Sequence, residues 1–329
     1  MQAVLLVGGL GTRLRPLTER LPKALVPLAN RPLISYQLEL LARHGVRDVI
    51  LAVAHRAEQL REALGDGTPW GVRLTYEAEP EPWGTAGGLR NALPHLTGTF
   101  IATNGDLILD VDLGHLLATH EASGADATIL VRRVDDVSPY GLVLTDEALR
   151  VLAFEEKQPY DRTGRNLVNV GVYVLRPELV ERVPARAPWS VEYDLYPQLL
   201  AEGLHVQAYA MEPGACWCDV GRPATYLEAS RLLLDGALPW AKPQLAPAGE
   251  QVYPPALLGT GVVLAARATV GPYAVLGDHV RVEPGAAVRD TVVGEGAVIG
   301  AEARLDGVIV GPGTRVAAGA QPAGESILA

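Results

Sequence analysis

Cysteine is almost missing from this chain of 329 residues, which has two, Cys216 and Cys218. Their closeness argues against a structural disulfide, and no histidine or acid cluster accompanies them to complete a zinc site. A reducing, cytoplasmic setting is therefore expected. Positive charge is also short: 28 Lys+Arg against 38 Asp+Glu give a net charge of −10. That balance argues against nucleic acid or an anionic membrane as partner. Long apolar runs are absent as well. The opening run Ala3-Val4-Leu5-Leu6-Val7 has no basic segment before it and is too short for a signal peptide or a membrane span. A hydrophobic content of 48% suits a soluble globular protein, and the length points to two domains.

Lysine is the rarest charged residue. Only Lys23, Lys157 and Lys242 occur, and arginine supplies the other basic positions. A compact ammonium and a planar guanidinium are not interchangeable. Lysines kept in an arginine-using chain thus mark places where the difference matters. Lys23 and Lys157 both fall in motifs described below.

What is present begins at once. The first apolar run, of buried-strand length, leads into Gly8-Gly9-Leu10-Gly11-Thr12-Arg13-Leu14-Arg15-Pro16-Leu17-Thr18, then Pro22-Lys23. Glycines let the backbone turn sharply and aim bare N–H groups into one concavity, a place for anionic oxygens. Arg13 and Lys23 add two cations to that cradle. A nucleoside triphosphate site is the chemistry implied. Two commoner glycine loops are excluded. A dinucleotide loop needs a glycine where Leu14 stands and an acid where Asn30-Arg31 stand; a Walker loop needs Gly-Lys-Ser/Thr, which is missing. The block resembles the signature of the sugar-phosphate nucleotidyltransferases, Gly-Gly-x-Gly-Thr-Arg-Leu-x-Pro-Leu-Thr followed by Pro-Lys-Pro. Ala24 stands where the family usually has the last proline, a departure that leaves the charged groups in place.

Residues 1–235 alternate apolar runs with helical patterns. Strands are predicted at 49–53, 73–76, 100–103, 127–131 and 170–174, and helices at 33–44, 57–64 and 223–234. This alternation predicts an α/β domain with a mostly parallel sheet, whose ligands sit beyond the carboxyl ends of the strands. The family resemblance specifies a Rossmann-like nucleotidyltransferase domain with a mixed, mostly parallel sheet. Residues 236–256 hold five prolines and little periodicity, and read as a linker. From 257 to 329 a hexapeptide repeat runs. Leu258, Leu264, Val270, Leu276, Val282 and Val288 are six apart. Val293, Ile299 and Leu305 follow one five-residue step, and Val310 and Val316 another. A glycine or small residue usually comes next. This is the pattern of a parallel β-helix with the aliphatic residue pointing inward; known hexapeptide domains imply a left-handed coil.

Asp106 closes Thr103-Asn104-Gly105-Asp106 just after a strand, and Asp219 lies in Trp217-Cys218-Asp219-Val220-Gly221 before a helix opened by Pro223. Two acids at strand ends can hold one hard cation against phosphate oxygens. The resemblance makes them the Mg²⁺ ligands, through Asn-Gly-Asp and Trp-x-Asp-Ile-Gly. It also implies sugar-phosphate contacts. Phe154-Glu155-Glu156-Lys157 is similar to Phe-x-Glu-Lys-Pro, with Gln158 inserted before Pro159; Glu156 then accepts from sugar hydroxyls and Lys157 neutralises the sugar phosphate. Asn169, in Asn-x-Gly-x-Tyr, touches the sugar, and Gly141 lets it approach the backbone. The stretch Glu79-Pro80-Glu81-Pro82-Trp83-Gly84-Thr85-Ala86-Gly87 resembles the base-binding loop of mannose-1-phosphate guanylyltransferases. Glu79, Gly84, Thr85 and Ala86, with Gly8, Gly9, Gly11, Thr12 and Arg13, are thereby candidate nucleotide contacts. Relatives that use uracil or thymine usually carry a glutamine in this region, and residues 72–90 hold none.

The reaction implied is in-line attack of a sugar-1-phosphate oxygen on the α-phosphorus of a triphosphate, GTP being favoured. Arg13, Lys23, Asp106, Lys157 and Asp219 are its catalytic candidates. Catalysis of this kind is positioning plus charge neutralisation. Three other readings remain: thymidylyl or uridylyl transfer to glucose-1-phosphate, or guanylyl transfer to a heptose phosphate; a regulatory subunit that binds nucleotide sugar without catalysis; and an acyl-transferring β-helix. Intact Arg13, Lys23, Asp106 and Asp219 argue against the second. His279, the lone histidine after the linker, and a short coil argue against the third. A homo-oligomer is expected, with the β-helix in an interaction or allosteric role.

Overall fold

A computed structural model describes residues 1–137, 140–155, 166–322 and 324–328. By its internal contacts the chain divides into two compact units. The first comprises Met1–Gly9, Gln37–Gly105 and Val111–Trp217; the second comprises Leu10–Tyr36, Asp106–Asp110 and Cys218–Ala329.

The first unit is built on a nine-stranded mixed sheet. Its strands are β1 (Gln2–Leu6), β2 (Asp48–Val53), β3 (Arg73–Ala78), β4 (Phe100–Asn104), β5 (Ala127–Arg133), β6 (Leu142–Thr145), β7 (Val151–Glu155), β8 (Leu167–Leu175) and β9 (Val206–Ala210). They run in the order β7-β6-β8-β4-β1-β2-β3, with β5 also beside β8 and β9 beside β5. The stretch β4-β1-β2-β3 is parallel, in the register Leu6 to Asn104 on one side and Leu6 to Ala52 on the other. The predicted strands at 49–53, 73–76, 100–103, 127–131 and 170–174 lie within β2, β3, β4, β5 and β8. The apolar runs follow from coverage on both faces: Ala3, Val4, Leu5, Phe100, Ile101 and Ala102 are all fully buried. The order of connection reverses between β4 and β2 around β1, so the carboxyl ends of β1 and β4 form the switch point at which such sheets bind ligands. The glycine turn leaves β1 there, and Gly105 leaves β4, its N–H donating to Leu6 O at 3.0 Å.

Strand β8 is antiparallel to its neighbours β4, β5 and β6. Its register against β5 shifts between Asn169 and Tyr173. A bulge of this kind re-aims side chains beside functional sites. Helix α1 (Gly84–Ala92) carries the small residues Ala86, Gly87 and Gly88 and shares one core cluster with Val4, Ile50, Phe100, Ala102, Tyr173, Leu195 and Tyr196.

In the second unit the carboxyl-terminal repeat forms the expected parallel β-helix. Three parallel sheets stack: Ala256–Leu258, Ala274–Leu276, Val292–Val293, Ile309–Val310 and Ile327–Leu328; Val263–Leu264, Arg281–Val282, Val298–Ile299 and Arg315–Val316; and Thr269–Val270, Ala287–Arg289 and Arg304–Asp306. The phase of the repeat holds. Val270, Leu276, Val282, Val288, Val293, Ile299, Leu305, Val310 and Val316 form the interior, with Leu258 and Leu264 packed against its end. The reason for the following small residue is close stacking. A Cβ on Gly277 would lie 2.7 Å from Glu295 N in the next coil, and one on Gly294 would lie 2.6 Å from Pro312 N.

One side of the coil departs from the simple hexad picture. Leu257, Val275, Val292 and Ile309 alternate with the interior residues, pair in register, and are nonetheless buried. This apolar ladder is covered from outside. Val292 and Ile309 line a cavity of about 470 Å³ together with Leu17, Val26, Pro27 and Tyr226. Around it Asn30 Nδ2 donates to Leu276 O at 2.8 Å, and Tyr226, on helix α2 (Pro223–Leu234), donates its hydroxyl to Pro27 O. Farther along α2 the Arg231 guanidinium makes a two-pronged ion pair with Asp290, Nε to Oδ1 at 2.6 Å.

Candidate active site

The second unit holds six of the predicted residues, Gly11, Thr12, Arg13, Lys23, Asp106 and Asp219, and brings the last four together. The segment after the glycine turn winds into a single 3₁₀ turn, Thr12–Leu14, fixed by buried Leu14, whose N–H donates to Gly11 O at 2.9 Å. Thr18 Oγ1 also donates to Gly11 O, at 2.8 Å, which ties the segment back on itself. After an intervening turn at Leu17–Glu19, a further turn, Lys23–Leu25, follows Pro22, with Ala24 and Leu25 buried. This anchoring leaves the Lys23 side chain largely buried, and its ammonium pairs with the Asp106 carboxylate. Asp106 O in turn accepts from Val220 N at 3.0 Å, which brings the backbone after Asp219 alongside. Gly221 has no side chain where space is short: a Cβ there would lie 3.1 Å from Arg13 Nη2 and 3.4 Å from Asp219 Oδ1.

The electrostatics follow from this crowding. Burial pushes the Asp219 carboxyl above its usual range, and the neighbouring charge of Asp106 pushes the same way. Lys23, Arg13 and Arg222 oppose both effects. Two carboxylates that repel each other, flanked by cations, suit a hard divalent ion and phosphate oxygens together. Among the described residues no group of three or more His, Cys, Asp or Glu side chains converges as a metal site. Asp106 and Asp219 would offer such an ion two oxygen ligands, and phosphate and water commonly fill the remaining positions around a hard divalent ion.

The first unit holds the other described candidates. Gly8 and Gly9 come after β1, separated from it by Val7. Glu79 is buried, and Oε2 accepts from Trp83 N at 2.9 Å; desolvation pushes its carboxyl above the usual range, the Trp83 hydrogen bond acting against it. Trp83 and the first turn of α1 dock on the segment 187–191. Trp189 O accepts from Ala86 N at 2.9 Å and Gly87 N at 3.3 Å, Trp189 N donates to Trp83 O at 2.9 Å, and Thr85 Oγ1 accepts from Val191 N at 2.8 Å. Gly84 is required: its φ is +74°, and a Cβ would sit 2.4 Å from Trp189 O. The polar atoms of Thr85 and Ala86 therefore shape the loop, and Glu79 caps it from within. Asn169 lies at the bulge of β8, with Oδ1 accepting from Gly171 N at 2.8 Å. Gly141 precedes β6. Glu156 and Lys157 lie outside the described residues. Sequence reasoning passed over Glu192, which accepts a hydrogen bond from Asn169. Its signal was weak, an acid within Ser190-Val191-Glu192-Tyr193-Asp194 that matches no quoted motif.

A family model, described as nucleotidyl transferase, matches residues 2–236. The chain belongs to the nucleotidyl transferase family. A Mycobacterium tuberculosis protein named mannose-1-phosphate guanylyltransferase is 36% identical over 321 residues, covering 97% of this chain and 82% of that protein. A cyanobacterial relative from Synechocystis, named UTP–glucose-1-phosphate uridylyltransferase, is 33% identical over 71% of this chain and 63% of its own length. Among solved structures, HddC from Yersinia pseudotuberculosis complexed with GMP-PN superposes with a TM-score of 0.61 at 28% identity, covering 70% of this chain and 98% of HddC. The family match thus spans the sheet unit and reaches past both acids of the Asp106 and Asp219 cluster. No helix among the described residues is long and apolar enough to cross a membrane.

Proposed function

We propose that this nucleotidyl transferase is a mannose-1-phosphate guanylyltransferase, joining GTP and mannose-1-phosphate to give GDP-mannose and pyrophosphate. The observation that carries the reading is the convergence of Arg13, Lys23, Asp106 and Asp219 in one unit. Relatives from bacteria, plants and fungi that carry this name, at 33–42% identity, supply the choice of substrates. In this reading the catalytic domain is residues 1–235, followed by a linker at 236–256 and the β-helix at 257–329.

The chemistry needs no general base, because the attacking phosphate is already ionised. The difficulty is to bring two polyanions together and to stabilise charge on the departing pyrophosphate. Arg13 meets that charge, Lys23 sits on the triphosphate, and Lys157 neutralises the sugar phosphate. Asp106 and Asp219 would hold Mg²⁺, which when bound supplies Lewis-acid charge neutralisation between phosphate oxygens. Lys23 pairs with Asp106, so a phosphate oxygen and that carboxylate compete for the same ammonium. Gly8, Gly9, Gly11 and Thr12 cradle phosphates. Glu79, Gly84, Thr85 and Ala86 form the base loop, and Gly141, Glu156 and Asn169 the sugar contacts.

A panel of GTP, UTP, dTTP and ATP, each with mannose-1-phosphate and glucose-1-phosphate, tests the reading by pyrophosphate release. GTP with mannose-1-phosphate is expected to give the highest kcat/KM. The uridylyltransferase relative supplies the competing outcome: preference for UTP and glucose-1-phosphate would replace this assignment while leaving the reaction class. No turnover by any pair would refute both.

A further inference from the structure

Asn169, the proposed sugar contact, has little hydrogen-bonding capacity left. Its Oδ1 accepts from Gly171 N at 2.8 Å, and its Nδ2 donates to the Tyr173 hydroxyl at 2.8 Å and to Glu192 Oε1. An amide nitrogen has two hydrogens, so both are engaged. Tyr173 is buried, and its hydroxyl also bonds Glu192. Within this network the spare acceptor capacity sits on Glu192. An ionised carboxylate offers about four lone-pair positions, and Asn169 and Tyr173 take two of them. The residue keeps partial exposure to solvent.

Hydrogen bonds hold the backbone on both sides of Glu192. Residues Val191–Leu195 form a π-helical turn, a geometry that recurs at functional sites. Ser190 Oγ accepts from Glu192 N at 3.1 Å and Tyr193 N at 3.3 Å, and Asp194 Oδ2 accepts from Ser190 N at 2.7 Å. On the other side Val191 N is tied to Thr85 at 2.8 Å. The same short segment therefore touches the proposed base loop with its backbone and the proposed sugar residue with its side chain.

We infer that Glu192 is a sugar-recognition residue: its spare carboxylate lone pairs accept a hydroxyl of the sugar phosphate, and Asn169 and Tyr173 orient it for that contact. The inference rests on Asn169 marking the sugar site, as proposed above. Burial, which pushes the Glu192 carboxyl above its usual range against the Asn169 and Tyr173 hydrogen bonds, makes an added hydroxyl donor favourable there.

The test is a cycle between enzyme and substrate. Wild type, Glu192→Ala and Glu192→Gln are compared on mannose-1-phosphate and its four monodeoxy analogues, by turnover with GTP and by calorimetric binding. Glu192→Ala is expected to lower kcat/KM for mannose-1-phosphate about 10- to 100-fold and to leave the KM for GTP within about threefold. One deoxy analogue should lose a similar factor on wild type and little more on Glu192→Ala. Equal losses for every analogue, or parallel changes in both KM values, would overturn the inference. If Glu192→Ala does not fold, the Glu192→Gln cycle decides, because glutamine keeps the shape and an acceptor for Asn169. Should wild type prefer another sugar-1-phosphate, the functional reading fails on its own, and the same cycle on that sugar still decides Glu192. If wild type neither binds nor turns over any sugar phosphate, the inference falls too.

Discussion

Gly84→Ala offers the sharpest test of how the proposed base loop is built. Gly84 opens α1 at φ +74°, and an added Cβ would fall 2.4 Å from Trp189 O and 3.0 Å from Trp189 C. Cβ atoms do not sit closer than 3.0 Å to other heavy atoms, so loop and segment must separate by roughly 0.6 Å, the difference between those two distances. An alanine in the left-handed region costs about 1–2 kcal/mol by itself. Separation stretches the bonds that converge on Trp189, from Ala86 N at 2.9 Å, from Gly87 N at 3.3 Å and to Trp83 O at 2.9 Å. Loss of one or two such bonds adds about 1–2 kcal/mol. The sum, about 2–4 kcal/mol, corresponds to a fall in Tm of roughly 5–15 °C for a unit of this size. Scanning calorimetry measures it, and steady-state kinetics should show a raised KM for GTP, because Thr85 and Ala86 move with the loop. A Tm within 1–2 °C of wild type, with an unchanged KM for GTP, would show that the loop is not clamped by Trp189 and would refute the account.

Three further predictions follow from other parts of the molecule. Asp106→Asn removes the partner of Lys23 and one of two hard oxygens; turnover should fall about 10²-fold or more with Tm changed by a few degrees at most, and near-normal pyrophosphate release would refute the assignment of Asp106. Val275→Asp places a carboxylate on the covered outer ladder of the β-helix, where Val275 is fully buried; a loss of about 3 kcal/mol or more is expected in urea titrations, whereas a neutral effect would mean that the ladder is not covered. Glu79→Gln tests pH dependence. Burial raises the folded Glu79 carboxyl above the usual carboxylate range, so the folded state binds its proton more tightly than the unfolded chain, and wild-type stability falls as pH rises through that raised value. The glutamine variant should show a shallower fall, gaining on wild type above that window and matching it near pH 3; identical slopes would contradict the shift.

The sequence alone determined the elements whose periodicity is local. The hexad phase of the β-helix survives in the structure because each interior aliphatic residue is specified by its own repeat, and a wrong phase would place charge in the coil. The strands beside β1 and the helix opened by Pro223 were legible for a similar reason: continuous apolar runs and a proline start need no partner to be read. Arg13, Lys23, Asp106 and Asp219 were legible as candidates because their spacing matches a motif. Their convergence was not, since Lys23 and Asp106 are 83 residues apart and only the folded chain closes that separation. The same limit hid Glu192, whose meaning comes from Asn169, 23 residues earlier, and from a π-turn that leaves no periodic trace. It also hid the covered ladder of Leu257, Val275, Val292 and Ile309, although paired aliphatics at every third hexad were a readable sign. Local pattern fixes what a segment becomes; which charges share a site, and which faces lose their water, depends on contacts between residues far apart in sequence, and these exist only after the chain has folded.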